Sequence, residues 1–443
     1  MRKKSYICTQ IYVYMEDIKI SIRNLRAVKS AEIELNGITV LSGVNSSGKS
    51  TISRLLYYAI KYANDYTSVA RLQFSISLSS IVNVVEVLDG ELRNYFPDQL
   101  GGYYPDYRNA VNDKERKDSL VKSLTTYKEI LDKLSKDNNN FLYITRISNI
   151  IKNDILKKTT DKSITDLMTD LIVTAQELFD AEEQMIAKRE YLPYQAFVEG
   201  KMHETLRNVT ISEYGMPFFG AGKVEHVPVL STIRRVAYID TPMMVGTQYT
   251  RPHVEYWSEL YRLLQRQNTF HNNHDLIEKI IDKIGGEATF DVSSMKDPLR
   301  FKRNDGESFN LFESATGIKS FSILQILLDN GFIDKNTLLI IDEPEAHLHP
   351  QWIVEYARML VLIHKQLGTK FFIASHSTDF VSAIKYIATK EESLDKLSYY
   401  LSEEDAEKPF IYNYRSLGQD IEPIFESFNK SFDLIDKYGT DND

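Results

Sequence analysis

A chain of 443 residues is too long for one ordinary compact core, so a core domain with an insertion or a second domain is expected. Its 43% hydrophobic and 26% charged residues, without a Pro/Gly-rich or repetitive tract, exclude a disordered or fibrous chain. The net charge of -9 excludes uniform coating of nucleic acid by the whole surface. Residues 391–443 hold 14 acidic and 5 basic residues, so an acidic C-terminal arm carries the excess, whereas Lys114 to Lys158 holds 11 basic and 6 acidic residues. That basic stretch reads first as a solvated helix face and second as a phosphate- or partner-binding face.

Cys8 is the only cysteine, which leaves no intrachain disulfide and makes a reducing cytoplasm the expected setting. The longest unbroken apolar runs, Leu338 to Ile341 and Phe371 to Ala374, fall short of the ~20 residues needed to span a bilayer and read as buried strands, so no membrane is expected. Residues 1–14 lack the long apolar stretch and cleavage site of a signal peptide; they read either as residues ahead of the true start at Met15, where the regular pattern opens, or as a loose arm.

In chain order, Asp17 to Arg23 alternates as a strand, followed by strands at Ala31 to Leu35 and Ile38 to Leu41 with an Asn36-Gly37 turn between them. A Gly-rich loop leads into a helix over Thr51 to Tyr62. Residues 64–204 read as an all-helical insertion, with helices near 79–95, 115–135, 141–158 and 163–190. Leu120, Leu124, Tyr127, Leu131 and Leu134 keep 4-3 spacing for only about two heptads before Asn138-Asn139-Asn140, too short for a long coiled-coil arm. Strands resume at Arg235 to Asp240 and in a hairpin over Leu299 to Leu311 that turns at Asn304-Asp305-Gly306. Buried strands follow at Leu338 to Ile341 and Phe371 to Ala374, separated by a helix over Trp352 to Leu367. The acidic end reads as a closing hairpin (Leu397 to Leu401, Pro409 to Tyr414) and an amphipathic helix near Ile421 to Asp436. Strands alternating with helices give an α/β head in two parts, residues 1–63 and 205–443, around the insertion.

Gly43-Val44-Asn45-Ser46-Ser47-Gly48-Lys49-Ser50 fits G-x-x-x-x-G-K-[ST], between a strand and a helix as that motif requires. Backbone N–H groups of Gly43, Asn45, Ser46, Ser47, Gly48 and Thr51 would cradle the phosphates of ATP at a helix N-terminus. Lys49 would reach the β- and γ-phosphates, and Ser50 would ligate Mg2+. Leu338 to Ile341 buries a strand that ends in Asp342 and Glu343, two carboxylates at the strand end where an α/β sheet binds ligands. Asp342 is expected to hold Mg2+ through water, and Glu343 to polarise the attacking water as general base. His376, after the next buried strand, is expected to hydrogen-bond the γ-phosphate. Ser314, Thr316 and Gly317 precede an apolar helix ending near Gly331; they read either as a helix cap or as an anion site offered to a second copy's γ-phosphate.

In this order these pieces resemble the ABC-type ATPases of the RecF, SMC and OLD lineage, over about residues 15–63 and 205–390. Ile22-Arg23-Asn24-Leu25-Arg26 and Ile38-Thr39-Val40-Leu41-Ser42-Gly43-Val44-Asn45 are similar to that lineage's opening strands and phosphate loop, with Ser46 where the family usually has Gly. Glu343-Pro344-Glu345-Ala346-His347-Leu348-His349-Pro350 is similar to the D-loop extension of OLD-like ATPases, which accounts for Glu345, His347 and His349 without a metal cluster. The signature departs from Leu-Ser-Gly-Gly-Gln, Thr316-Gly317 taking the Ser-Gly place, and Gln73 and Gln248 are the candidate Q-loop residues.

The resemblance implies a P-loop ATPase head with an all-helical insertion, binding ATP and Mg2+ and forming a homodimer or higher homo-oligomer through ATP-sandwiched heads. The short insertion resembles compact ATPases of anti-phage systems such as Septu and PARIS, which implies a switch controlling a separate nuclease or toxin. Only 67 residues follow His376, without an Asp-x-Asp motif, so no nuclease domain is expected on this chain. The alternative is a RecF-like DNA-repair ATPase, with DNA bound across the closed dimer.

Overall fold

The computed structural model describes residues 18–110, 112–155, 162–220, 224–240, 255–266, 274–290 and 298–440. The possible extension over 1–14, Met15 and Gln248 lie outside them. The chain divides into two compact units, one of residues 1–64 with 195–443 and one of residues 65–194. Residues 195–204, grouped with the helical insertion on sequence grounds, belong with the sheet unit.

The sheet unit is an α/β structure built on ten strands. β1 (Ile18–Leu25), β2 (Val28–Leu35) and β3 (Ile38–Ser42) lead into α1 (Lys49–Asn64). Later come β4 (Val209–Glu213), β5 (Met216–Gly220), β6 (Arg235–Ile239), β10 (Thr337–Asp342), β11 (Lys370–Ser375), β12 (Leu397–Glu404) and β13 (Tyr412–Gly418). Their order is β5-β4-β1-β2-β13-β12-β3-β11-β10-β6. The four strands β5-β4-β1-β2 pair antiparallel, whereas β12, β3, β11, β10 and β6 run parallel to one another.

Local sequence explains which strands lie deepest. β1 alternates Ile18, Ile20 and Ile22 inward with polar residues between, while β3 and β10 are buried at every position, β10 around the apolar run Leu338 to Ile341. α10 (Pro350–Leu367) and α11 (Thr378–Lys390) connect the parallel strands β10, β11 and β12. Leu360, Ile363, Phe380 and Ile384 from these helices join Val40, Leu339, Ile341 and Phe371 in one core. Each such side chain taken from water contributes about 1.5–3 kcal/mol.

The acidic C-terminal segment differs from the expected appended arm. β12 and β13 do form an antiparallel hairpin, but it is inserted in the middle of the sheet, between β2 and β3. Its last helix, α12, covers Glu422–Thr440. A smaller three-stranded sheet, β7 (Gly286–Phe290), β8 (Leu299–Arg303) and β9 (Ser308–Asn310), contains the expected hairpin. Between β6 and β7 lie α7 (Glu255–Leu264) and α8 (His274–Ile284), and after β9 comes α9 (Thr316–Asp329).

The helical unit contains α2 (Tyr66–Tyr95), α3 (Asp113–Leu134), α4 (Phe141–Asn149) and α5 (Ile164–Lys188); α6 (Tyr191–Met202) leads back to the sheet unit. α2 begins earlier than the sequence pattern suggested, because Asp65 caps it by accepting from Ser68 N. Leu120, Leu124, Tyr127, Leu131 and Leu134 of α3 are all buried, packed with residues of α2 and α5. Asp89 of α2 pins this core, accepting from Tyr127 Oη at 2.7 Å and from two Arg93 nitrogens at 2.8 Å. One described helix, α2, is long and apolar enough to cross a membrane, with mean hydropathy 1.3 over its most apolar 18 residues. Serines and asparagines interrupt its apolar residues, so it holds no long unbroken apolar run; its Leu78, Val85 and Leu92 lie in the helical core.

Candidate active site

Strand register sets the geometry of the site. Ser42 lies opposite Ser375, Ala374 opposite Asp342, and Ile341 opposite Ile239. The carboxyl ends of four adjacent parallel strands therefore come level. From them leave the Gly43 loop, His376, the Asp342-Glu343 turn and Asp240. The strand carrying His376 lies between the loop strand and the acidic strand, a placement that sequence order alone does not give.

The loop has the backbone its residues imply. Gly43 has φ +152°, and a Cβ there would lie 1.7 Å from Ser402 Oγ; Gly48 has φ +97°, and a Cβ would lie 2.5 Å from Val28 Cγ2. Neither position admits a side chain without displacing its neighbour. Ser46 also sits in the left-handed region, at φ 65°, which explains why glycine suits that position. Val44, Asn45 and Ser46 are exposed, whereas Ser47 is buried, with its carbonyl accepting from Tyr414 Oη at 3.3 Å. The C-terminal hairpin thus braces the loop through Ser402 and Tyr414.

α1 opens at Lys49, and the first intrahelical bond recorded at its start runs from Ile52 N to Gly48 O. The N–H groups ahead of it, including those of Ser50 and Thr51, belong to the first turn, where no helical acceptor exists. Lys49 is 5% exposed and donates to Gly43 O and Val44 O, each at 2.9 Å. Burial lowers its pKa, against the pull of Asp342, Glu343 and Glu345.

Asp342 is buried at the end of β10, and its Oδ2 accepts from Tyr238 Oη at 2.8 Å, while Oδ1 has no hydrogen-bond partner. Burial raises its pKa, outweighing the Ser50 and Tyr238 hydroxyls that favour the carboxylate. Glu343 is held at φ 52° by its N–H donating to Ala374 O at 2.8 Å, and its side chain is 46% exposed. His376 is 39% exposed, with Nδ1 3.8 Å from Glu343 Oε1. Both functional side chains consequently reach solvent, unlike Asp342.

The donor set fits a nucleoside triphosphate with a divalent cation. First-turn N–H groups and a buried ammonium suit phosphate oxygens. The Ser50 hydroxyl, close to Asp342, and the Asp342 carboxylate, one oxygen of which is buried without a partner, suit a hard cation.

Ser314, Thr316 and Gly317 form the start of α9. Ala315 is the N-cap and supplies no side-chain cap bond, while Ser314 Oγ is buried without a partner. The side-chain cap that was the simpler reading of this segment is therefore absent. Gly317 has a packing reason of its own, since a Cβ would lie 2.6 Å from Trp352 Cε3. Among the described residues, no hydrogen bond or ion pair links these three to the phosphate loop, Asp342 or Glu343. Glu345, His347 and His349 do not converge: Glu345 turns onto β11, and His349 caps α10 by accepting from Gln351 N.

Sequence reasoning missed several site residues. Tyr238 and Asp240 stand at the end of β6, with Arg54 of α1 and Tyr256 of α7 beside them. The Tyr238 and Tyr256 rings are 4.6 Å apart, and the Arg54 guanidinium lies 5.7 Å from the Tyr256 ring centre. Asp240 accepts from Tyr256 Oη at 3.4 Å, and burial raises its pKa against the pull of Arg54. The Arg235 to Asp240 strand itself was legible, but its pairing beside β10 was not. Of the candidate Q-loop residues, Gln73 is exposed on α2 in the helical unit.

The fold and this loop define a P-loop ATPase. Residues 15–274 match the AAA ATPase domain, more than half of the chain, and the chain belongs to that family. Residues 186–382 match a second family, described as AAA domain, putative AbiEii toxin, Type IV TA system. No curated protein matches the sequence. Similar solved structures include the Smc head domain with an extended coiled coil bound to the C-terminal domain of ScpA from Pyrococcus furiosus, at 11% identity and TM-score 0.33, covering 96% of this chain and 100% of that one. The SMC head domain from Thermotoga maritima has 13% identity and TM-score 0.24, with 36% and 51% covered. The Smc head with coiled coil and joint from Pyrococcus yayanosii has 12% identity and TM-score 0.27, with 87% and 64% covered. At such values the ATPase assignment rests on the family match and the site's own geometry.

Proposed function

We propose that this chain is an ABC-type ATPase whose heads close in pairs on ATP and part on hydrolysis, acting as a switch in anti-phage defence that controls a separate nuclease or toxin. The observation that carries the ATPase chemistry is the register of Ser42 with Ser375 and of Ala374 with Asp342, which gathers the Lys49 loop, His376 and the Asp342-Glu343 turn at the carboxyl ends of adjacent strands.

Lys49 leaves the loop carbonyls and pairs with the β- and γ-phosphates, while the N–H groups of residues 43–51 take the remaining phosphate oxygens. Ser50 and Asp342 would hold Mg2+, which would supply positive charge to offset that developing on the phosphates. Glu343, exposed beside His376, accepts the proton of the attacking water. His376 offers its ring to the γ-phosphate.

The start of α9 supports closure in pairs. Its N-terminus has no side-chain cap, and Ser314, Thr316 and Gly317 there suit the γ-phosphate of a second copy. The defence role draws on the family described as a putative AbiEii toxin of a Type IV toxin-antitoxin system, and on the resemblance to compact anti-phage ATPases.

The test uses Glu343→Gln, which should bind ATP, hydrolyse it ~100-fold or more slowly, and accumulate as a dimer with ATP in light scattering. Affinity capture of that trapped state from its native cells should bring down a nuclease or toxin. Recombination proteins or bound DNA instead would favour the DNA-repair alternative, and a monomer at saturating ATP would contradict pairing of heads.

A further inference from the structure

We infer that Glu345 is a positioning residue for the hydrolytic step, fixing the His376 ring so that Nδ1 faces carboxylate and Nε2 is the nitrogen presented to the γ-phosphate. The inference rests on the ATP-site reading above and adds a residue that neither the motif nor the family match assigns.

Glu345 is a carboxylate only 8% exposed, three residues beyond Asp342. A buried carboxylate needs donors, and β11 supplies them. Oε1 accepts from Ser375 Oγ at 2.9 Å and from His376 N at 2.8 Å, and His376 Nδ1 lies 3.2 Å from the same oxygen. That third contact is too poorly aligned for a hydrogen bond, and Oε2 is buried without any partner. The carboxylate thus holds the backbone of His376 and faces its ring, with acceptor capacity to spare.

Chain geometry around Glu345 is equally constrained. The turn that carries it is stitched by Ala346 N to Glu343 O at 2.9 Å and Leu348 N to Glu345 O at 3.1 Å, and Glu343 N is tied to β11 at Ala374 O. Glu345 is therefore the side-chain tie between the turn bearing the water-activating carboxylate and the strand end bearing His376. Nδ1, buried without a hydrogen bond, faces Glu345 Oε1 at 3.2 Å and Glu343 Oε1 at 3.8 Å, and a carboxylate there can only accept, which favours a hydrogen on Nδ1 once the ring aligns. Without Glu345 the ring, 39% exposed, would lose the buried carboxylate it faces and sample other rotamers, at a cost to turnover and not to nucleotide binding.

A double-mutant cycle tests this directly. Glu345→Gln keeps one accepting oxygen and the side-chain volume, so it is the variant of choice if Glu345→Ala unfolds. It should lower kcat by about 10-fold, as losses of outer-shell partners do, with KM for ATP and fluorescent-nucleotide affinity changed less than about 2-fold. In the His376→Gln background the same substitution should change kcat by less than about 2-fold, because its effect passes through the missing ring. Specifically 15N-labelled histidine should give a His376 resonance, assigned by its loss in His376→Gln, that shifts in Glu345→Gln.

Equal fold losses of kcat in both backgrounds would overturn the proposal and make Glu345 a general fold anchor. A His376→Gln enzyme with undiminished turnover would overturn it through its premise. Failure of the underlying ATP-site reading looks different: Lys49→Ala would then bind ATP as tightly as the parent.

Discussion

Replacing Gly317 with alanine sets two effects against each other, and the structure decides which is larger. Gly317 is the second residue of α9, where alanine in place of glycine would ordinarily stabilise by roughly 0.5–1 kcal/mol. The new Cβ, however, would stand 2.6 Å from Trp352 Cε3 and 2.9 Å from Cζ3, well inside contact distance. The indole cannot simply step aside: Phe321 meets it edge-on at 5.6 Å between ring centres, and Leu348 Cδ2 lies 3.4 Å from the new atom. Overpacking of this kind costs about 1–3 kcal/mol. The net is a destabilisation of up to about 2.5 kcal/mol, or a fall in Tm of up to about 4 °C for the large unit to which it belongs. Differential scanning fluorimetry and urea titration measure it, and the emission of Trp352, one of two tryptophans, reports the displaced ring. An unchanged or raised Tm, with unchanged tryptophan emission, would show that contact with Trp352 does not require glycine at that position.

Asp342→Asn should separate stability from function. Because burial holds the folded-state pKa of Asp342 above its unfolded value, the fold favours the protonated carboxyl, and the stabilisation present at low pH is lost as pH rises through the folded pKa. The neutral amide should therefore raise Tm of the nucleotide-free protein at pH 7, the gain should shrink toward acid pH where Asp342 is itself protonated, and Mg2+-dependent turnover should fall. A lower Tm at pH 7 would mean that the Tyr238 and Ser50 hydroxyls and nearby Lys49 more than offset desolvation. Lys49→Ala should weaken fluorescent-nucleotide binding by about 10- to 100-fold, the value of one charge-assisted contact of 1.5–3 kcal/mol, and full retention of affinity would defeat the role given to the loop.

Motifs were legible where neighbours in sequence are also neighbours in space. The 43–50 loop, the strand ending in Asp342-Glu343 and the strand ending before His376 each declare themselves within a dozen residues, through glycine placement and buried apolar runs. Pairing between distant segments leaves no such mark. Nothing in residues 397–418 says that they part β2 from β3, yet that insertion brings Ser402 against Gly43 and Tyr414 against Ser47. Tyr238, Asp240 and Arg54 read as ordinary strand-end and helix-face residues until β6 pairs with β10. Glu345 sat inside a recognised motif, but its hold on His376 depends on β10 and β11 being neighbours. The hydroxyl-rich start of α9 was legible as a helix start; only the structure shows that its cap residue is Ala315, without a side-chain bond.

The central claim is tested most directly by measuring Mg2+-dependent ATP hydrolysis by the purified chain beside Glu343→Gln, with nucleotide affinity determined on the same samples. The parent protein should turn over ATP and stop on removal of Mg2+, and the Glu343→Gln protein should hold ATP with near-parental affinity but scarcely hydrolyse it. Equal turnover in the two proteins, or hydrolysis indifferent to Mg2+, would contradict the claim.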